Sequence, residues 1–163
     1  MLVVLRHGKA EAYSDDDHGR QLTERGRREA RSAGAWLAET DLLPTHAIVS
    51  SARRTQQTWE EVVTLSGCAA AVQISDAVYS ADTDNVLEIL STAPPEAQVL
   101  ALVGHNPTVS SLVHLLDDGE PDAAAFRALS FGLPTAGIAV LEVSVPWADL
   151  GVGTARLVAG HTS

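Results

Sequence analysis

Four stretches of the chain are apolar and rich in β-branched residues, and the segments between them switch to a helical period. Leu2 to Leu5, Ala47 to Val49, Val99 to Val103 and Ile138 to Val145 read as strands, and Arg156 to Ala159 adds a last one. After Thr23, the residues Ala30, Ala33, Gly34, Leu37 and Ala38 recur at helical spacing, while Arg27, Arg28, Arg31 and Glu39 fall mostly on the other side. That pattern predicts an amphipathic surface helix.

A second helix is predicted from about Arg53 to Leu65, with Trp59, Val62 and Val63 inward, and a third from about Asp82 to Leu90, with Val86, Leu87 and Leu90 inward. Thr92-Ala93-Pro94-Pro95 stops the third. A fourth is expected to start with Asn106 as its cap and Pro107 at its first helical position, followed by Val109, Leu112, Val113 and Leu116 on one face. Strands alternating with helices predict a three-layer α/β/α sandwich around a mostly parallel central sheet. No internal repeat or linker divides the 163 residues, so a single domain, 1–163, is expected.

Composition narrows the function classes. Hydrophobic residues make up 45% and charged residues 20%, the balance of a globular protein rather than a disordered one. The one cysteine, Cys68, has no internal disulfide partner, and the first apolar run leads at once into Arg6 and His7 rather than into a signal peptide, so a reducing, cytoplasmic setting is expected. No apolar run approaches the roughly 20 residues that span a bilayer, and no membrane role is expected. A formal net charge of -10 argues against nucleic acid as a partner. With neither heptads nor a long apolar stripe, the pattern does not separate a monomer from a weak dimer.

In an open α/β sheet, ligands bind beyond the carboxyl ends of the strands. The first strand runs into Arg6-His7-Gly8, the second into Ser50-Ser51-Ala52-Arg53-Arg54, and the one near residue 100 into Gly104-His105-Asn106. Guanidinium groups and imidazoles beside helix N-termini suit a phosphoryl group, because arginine forks pair two oxygens and orphan N–H groups add positive potential. No metal-ligand spacing, G-x-S-x-G or P-loop is present, so neither a metal nor any other cofactor is expected. Ser50 and Ser51 read as turn residues. The acidic stretches Asp15-Asp16-Asp17 and Asp117-Asp118-Gly119-Glu120 read as solvated loops, and His18, His46, His114 and His161 as surface or helix residues.

Arg6-His7-Gly8 after an N-terminal strand resembles the RHG signature of the histidine phosphatase superfamily, which includes phosphoglycerate mutases and many phosphatases. Leu22-Thr23-Glu24-Arg25-Gly26 resembles its L-T-x-x-G helix start. Ser50 to Thr58 resembles its S-x-x-x-R-x-x-Q-T segment, and Val103-Gly104-His105-Asn106-Pro107 completes the set. The small size and the segment Asp17-His18-Gly19-Arg20-Gln21-Leu22-Thr23 are similar to the SixA-type protein histidine phosphatases.

The resemblance implies a phosphoglycerate mutase-like fold and a hydrolase that takes a phosphoryl group onto His7 and then gives it to water. Arg6, Arg54 and His105 would bind the non-bridging oxygens, with Gly8, Arg20 and Asn106 as further substrate contacts and a hydrogen bond fixing the second ring nitrogen of His7. The family spacing selects Arg54 over Arg53. Arg20 reads equally as a loop salt bridge, and Lys9, the one lysine, either faces incoming phosphate or is merely exposed. The acid that larger members place after the third strand has no clear counterpart: Asp76, Asp82 and Asp84 lie in that stretch, but Asp82 and Asp84 also suit a helix start. A missing acid favours a phosphoprotein or another labile phosphate as substrate, with a phosphohistidine protein first. A small phosphorylated compound, a mutase reaction and a silent phosphate-binding module are the competing readings.

Overall fold

The computed structural model describes residues 1–162. In chain order the elements are β1 (Leu2–Arg6), α1 (Glu24–Glu39), β2 (His46–Ser50), α2 (Arg53–Ser66), β3 (Ala71–Ser75), α3 (Asp76–Ser80), α4 (Thr83–Ser91), β4 (Leu100–Gly104), α5 (Thr108–Leu116), α6 (Ala123–Ala128), β5 (Ile138–Val143) and β6 (Ala155–His161), with a 3-10 turn at Trp147–Asp149.

The six strands form one sheet in the order β3-β2-β4-β1-β5-β6. Pairings among β1, β2, β3 and β4 are parallel, whereas β5 runs antiparallel to both β1 and β6. The continuous apolar runs follow from burial on both faces. Val3 and Leu5 point to a core formed with Ala33 and Leu37 of α1 and Trp59 and Val62 of α2. Leu2 and Val4 point the other way, to Val86 and Leu90 of α4 and Leu112 and Leu116 of α5. Helices thus cover both faces, giving the three-layer sandwich. Each fully buried Leu or Val stabilises the fold by about 1.5–3 kcal/mol relative to exposure.

On the first face, α1 approaches α2 closely at Gly34, where a Cβ would lie 2.9 Å from Val62 Cα. That contact explains a glycine on the apolar stripe. Arg27 and Arg31 are not merely solvated: both reach Glu61 of α2, at 3.0 and 2.7 Å.

Three elements escape the hydrophobic pattern. β3 is an edge strand whose first four residues are exposed, so it lacks a buried face to impose a period. α3 has five residues and α6 has six, too few to show a helical repeat. The start of α5 also differs from expectation. Pro107 takes the N-cap position and the helix begins at Thr108. Asn106 does not cap it, because its Nδ2 donates to the Leu133 carbonyl at 3.0 Å and its Oδ1 accepts from Ser110 at 2.8 Å.

Candidate active site

The sheet register brings the two histidines together. Arg6 of β1 pairs with Gly104 of β4, so the residues that follow, His7 and His105, emerge side by side. The His7 amide donates to the Gly104 carbonyl at 3.1 Å, and the two ring centroids lie 5.2 Å apart. Ser50 ends β2, which pairs with β4 on its other side.

The turn after β1 is held from two directions. The Thr23 hydroxyl donates to the Lys9 carbonyl at 3.0 Å and accepts the Gly26 amide at 3.1 Å, so it caps α1 while tying α1 to the turn. A Cβ on Gly8 would lie 2.6 Å from the Gly26 carbonyl, and one on Gly26 would collide with the Lys9 backbone. From α2, the Thr58 hydroxyl accepts the Gly8 amide at 3.0 Å, and the Gln57 side chain accepts the Leu22 amide at 2.8 Å. Thr23, Gln57 and Thr58 therefore each clamp one backbone against another.

This clamp sets the state of His7. Its Nδ1 lies 2.8 Å from the Gly8 carbonyl, which can only accept, so Nδ1 carries the ring proton and Nε2 keeps a lone pair. Burial pushes the His7 pKa down to about 4. The Gly8 contact opposes that shift, while Arg54, Arg6 and Arg20 reinforce it. At neutral pH the imidazole is uncharged.

Arg6 and Arg54 are anchored by their outer nitrogens. Arg6 Nη1 donates to the Leu133 carbonyl at 3.0 Å. Arg54 Nη1 and Nη2 donate to the Asp17 carbonyl and carboxylate at 2.7 and 3.3 Å. Among the described residues, Arg6 Nε, Arg54 Nε and His105 Nδ1 are buried without a hydrogen-bond partner, an arrangement that favours an incoming anionic acceptor. Burial, then His7 and Arg54, push the His105 pKa down to about 3.

Arg6, His7, Lys9, Arg20, Arg54, His105 and Asn106 line one cleft of about 400 Å³, together with Glu11 and Thr135. Gly8 does not line it. That glycine is buried and both of its polar groups are engaged, the amide by Thr58 and the carbonyl by His7, so no group is left for the substrate contact expected of it. Arg20 combines its two readings, because it lines the cleft while its Nε sits 3.3 Å from Asp17 Oδ1. Arg53 is exposed and faces Glu60 at 3.6 Å. None of Asp76, Asp82 and Asp84 lines the cleft; Asp82 caps α4 by accepting the Asn85 amide. Glu11, the one carboxylate in the lining, accepts the Gln21 amide at 3.1 Å. Among the described residues no group of three or more His, Cys, Asp or Glu is placed to hold a metal ion, and no helix is long and apolar enough to cross a membrane.

Residues 2–78 match the profile of the histidine phosphatase superfamily, branch 1. An uncharacterized protein of Mycobacterium tuberculosis is 37% identical over 160 residues, covering 96% of this chain and 98% of the relative. The SixA protein of Nakamurella multipartitia, provisionally assigned as a phosphohistidine phosphatase, superposes with a TM-score of 0.82 at 30% identity over 99% of this chain and 94% of its own. Its counterpart from Agrobacterium tumefaciens, with the same provisional assignment, gives 0.82 at 27% identity over 99% and 97%. The chain belongs to the histidine phosphatase superfamily.

Within this SixA-type histidine phosphatase, the sequence reading missed several residues around the cleft. Asp17 is not a free loop charge: it binds Arg54 and Arg20 and accepts the Tyr79 hydroxyl at 2.7 Å. The Tyr79 bond first, then Arg54 and Arg20, hold its carboxyl below the ordinary range against the opposing effect of burial. Tyr79, carried by α3, stands edge-on to both His18 and His105, with centroids at 4.8 and 5.8 Å. His18 Nε2 lies 3.0 Å from the Ser51 hydroxyl, so it is not an unpartnered surface residue. Ser50 meets His105 Nε2 at 2.8 Å, a role beyond that of a turn. Glu29 of α1 accepts the Lys9 amide at 3.0 Å and pairs with Arg25. Burial would raise its carboxyl, but hydrogen bonds from Thr135, Lys9 and Arg25 outweigh that and hold it low. The signals for Asp17 and Ser50 lay in the SixA-like and S-x-x-x-R segments, as fixed offsets from Arg20 and Arg54.

Proposed function

We propose that the protein is a phosphatase that works through a phosphohistidine at His7 and acts on a phosphohistidine protein. The observation that carries this reading is the fixed tautomer of His7: Nδ1–H is held by the Gly8 carbonyl, leaving Nε2 as a neutral nucleophile among unpartnered arginine and imidazole nitrogens. In the first step the Nε2 lone pair forms a bond to phosphorus while the bond to the leaving group breaks. Arg6, Arg54 and His105 stabilise the charge that spreads over the equatorial oxygens. In the second step water attacks the phosphohistidine, inorganic phosphate leaves and Nε2 recovers its lone pair.

The substrate class follows from the acid-poor lining. An unactivated alkyl phosphate gains about 10²–10⁴-fold from protonation of its leaving oxygen. The only lining carboxylate, Glu11, is exposed and engaged with a backbone amide. An imidazole whose far ring nitrogen has taken a proton from solvent leaves as a neutral molecule without an acid from the enzyme. The SixA proteins provisionally assigned as phosphohistidine phosphatases are in line with the same reading.

The test is hydrolysis of p-nitrophenyl phosphate and of a phosphohistidine-bearing protein by the wild type and His7→Ala, with quenching to trap the intermediate. Turnover of both that vanishes in His7→Ala, with an acid-labile adduct on the wild type, is expected. A trapped adduct on another residue, or undiminished turnover in His7→Ala, would overturn the mechanism. Faster turnover of alkyl phosphates than of phosphohistidine would move the assignment to a small-molecule phosphatase.

A further inference from the structure

Ser50 is fully buried at the end of β2, and its hydroxyl has two neighbours. The Ala52 amide lies 3.5 Å away and can only donate, so Ser50 Oγ accepts there; His105 Nε2 lies at 2.8 Å. Two proton arrangements are possible on the second contact. If His105 carried its proton on Nε2 and gave it to Ser50, the buried hydroxyl proton of Ser50 would be left without an acceptor. His105 Nδ1 would then be a bare lone pair, buried and unpartnered, on a residue that lines the cationic cleft. The Ser50 hydroxyl proton would be buried unpaired, and the Nδ1 lone pair would meet an anion with the wrong polarity.

The other arrangement satisfies the Ser50 hydroxyl and leaves Nδ1 as a donor that an acceptor in the cleft can pair. Ser50 Oγ–H donates to His105 Nε2, and the ring proton moves to Nδ1. The unpartnered atom then becomes a donor beside His7, where an incoming phosphoryl oxygen needs one. Because burial and the neighbouring cations keep His105 neutral at physiological pH, the ring has a single proton, and its position decides whether the residue attracts or repels the substrate.

We propose that Ser50 is a positioning residue: its hydroxyl, held by the Ala52 amide, fixes His105 in the Nδ1–H tautomer and so aims a hydrogen-bond donor at the transferring phosphoryl group. The tautomer follows from the need of the buried Ser50 hydroxyl proton for an acceptor, whereas its use in turnover rests on the phosphatase reading above. Ser50 thereby does for His105 what the Gly8 carbonyl does for His7, and the two imidazoles are set in complementary states. Both are Nδ1–H tautomers, but His7 offers the cleft its Nε2 lone pair while His105 offers its Nδ1 proton. The S-x-x-x-R segment supplies Arg54 as an anion ligand and Ser50 as the group that orients a second one.

The test reads the tautomer directly. In ¹⁵N-labelled wild type at neutral pH, long-range imidazole correlations, assigned by the signals lost in His105→Asn, are expected to show His105 protonated on Nδ1 with a bare Nε2. A wild-type spectrum with the proton on Nε2 would overturn the proposal, whatever the variants do. In Ser50→Ala the His105 signals are expected to shift toward the Nε2–H form. kcat should fall by about 10–100-fold, by analogy with loss of the group that orients a metal-bound imidazole, with KM changed much less. In the His105→Asn background the same substitution should cost nothing further. An equal loss in both backgrounds would show that Ser50 acts through folding and not through His105. Absence of turnover in the wild type would defeat the phosphatase reading, while the spectrum would still decide the tautomer.

Discussion

Asp17 grips Arg54 by both of its outer nitrogens, one through the backbone carbonyl at 2.7 Å and one through the carboxylate at 3.3 Å. The guanidinium is 7% exposed in its side chain, but the Asp17 side chain is 58% exposed. A charge open to water thus sits behind a buried one. The grip turns the Nε edge of Arg54 away from Asp17, and that edge has no protein partner. Asp17 therefore orients the arginine while its negative charge opposes the anion that Arg54 is to bind.

These two effects separate by substitution. Asp17→Asn keeps the backbone contact and an amide oxygen but removes the charge. It should bind inorganic phosphate about 2–5-fold tighter at low salt, a small gain because the carboxylate is solvent-screened. Asp17→Ala loses the side-chain contact to Arg54 and the Tyr79 bond, and kcat should fall. Competitive inhibition by phosphate at two ionic strengths reads the first effect. Equal affinity in wild type and Asp17→Asn at low salt would show that the charge does not reach the anion site.

The buried histidines make stability depend on pH. His7 and His105 stay neutral in the folded protein until about pH 4 and about pH 3, while in the unfolded chain each takes up a proton near its ordinary value of about 6.5. The unfolded state binds more protons below that value, so stability falls as pH drops from about 6.5 toward the folded-state values. Between pH 7 and 5.5 each histidine should remove about 1 kcal/mol. Urea unfolding of wild type and His105→Asn at those two pH values tests this. The variant should lose about 1 kcal/mol less than the wild type over the interval, and identical losses would contradict the neutral buried state of His105.

Thr58 joins the turn after β1 to α2, accepting the Gly8 amide at 3.0 Å and donating to the Arg54 carbonyl at 2.7 Å. Thr58→Val keeps the shape but leaves a buried amide unpaired, at a cost of about 1–3 kcal/mol. Gly8 also holds the His7 proton, so kcat should drop together with the unfolding midpoint. An unchanged midpoint would mean that the Gly8 amide finds another acceptor.

The central strands were legible in the sequence because Leu2 to Leu5 and Leu100 to Val103 are buried on both faces and must be apolar throughout. The strand-end rule brought Arg6, His7 and His105 to one edge with Arg53 or Arg54, the spacing of the family motif selected Arg54, and the four line one cleft. What escaped has a common physical origin. β3 is an exposed edge with no face to hide, and α3, which carries Tyr79, is too short to show a period. Asp17 looked like any residue of an acidic loop because its partners Arg54 and Tyr79 are 37 and 62 positions away. The place of Asn106 before a proline suggests a cap. Its side chain is drawn instead to Leu133 and Ser110, in contacts no local pattern reports.

Glu61 offers a control that separates folding from chemistry. Its two oxygens accept from Arg27 at 3.0 Å and Arg31 at 2.7 Å, tying α1 to α2, and none of the three residues lines the cleft. The Glu61 side chain is 11% exposed and that of Arg31 is 49% exposed, so the pair is only partly shielded from salt. Glu61→Ala removes two charge-assisted bonds but leaves both arginines able to reach water. That limits the loss to about 1–2 kcal/mol, and part of it should disappear in high salt as screening weakens the wild-type pairs. Because α1 and α2 keep their apolar contacts through Ala33, Leu37 and Val62, the turn after β1 stays in place and kcat should match the wild type at temperatures where both are folded. A variant with a normal unfolding midpoint and impaired kcat would show that the α1–α2 ion pairs govern the cleft directly and not the packing beneath it.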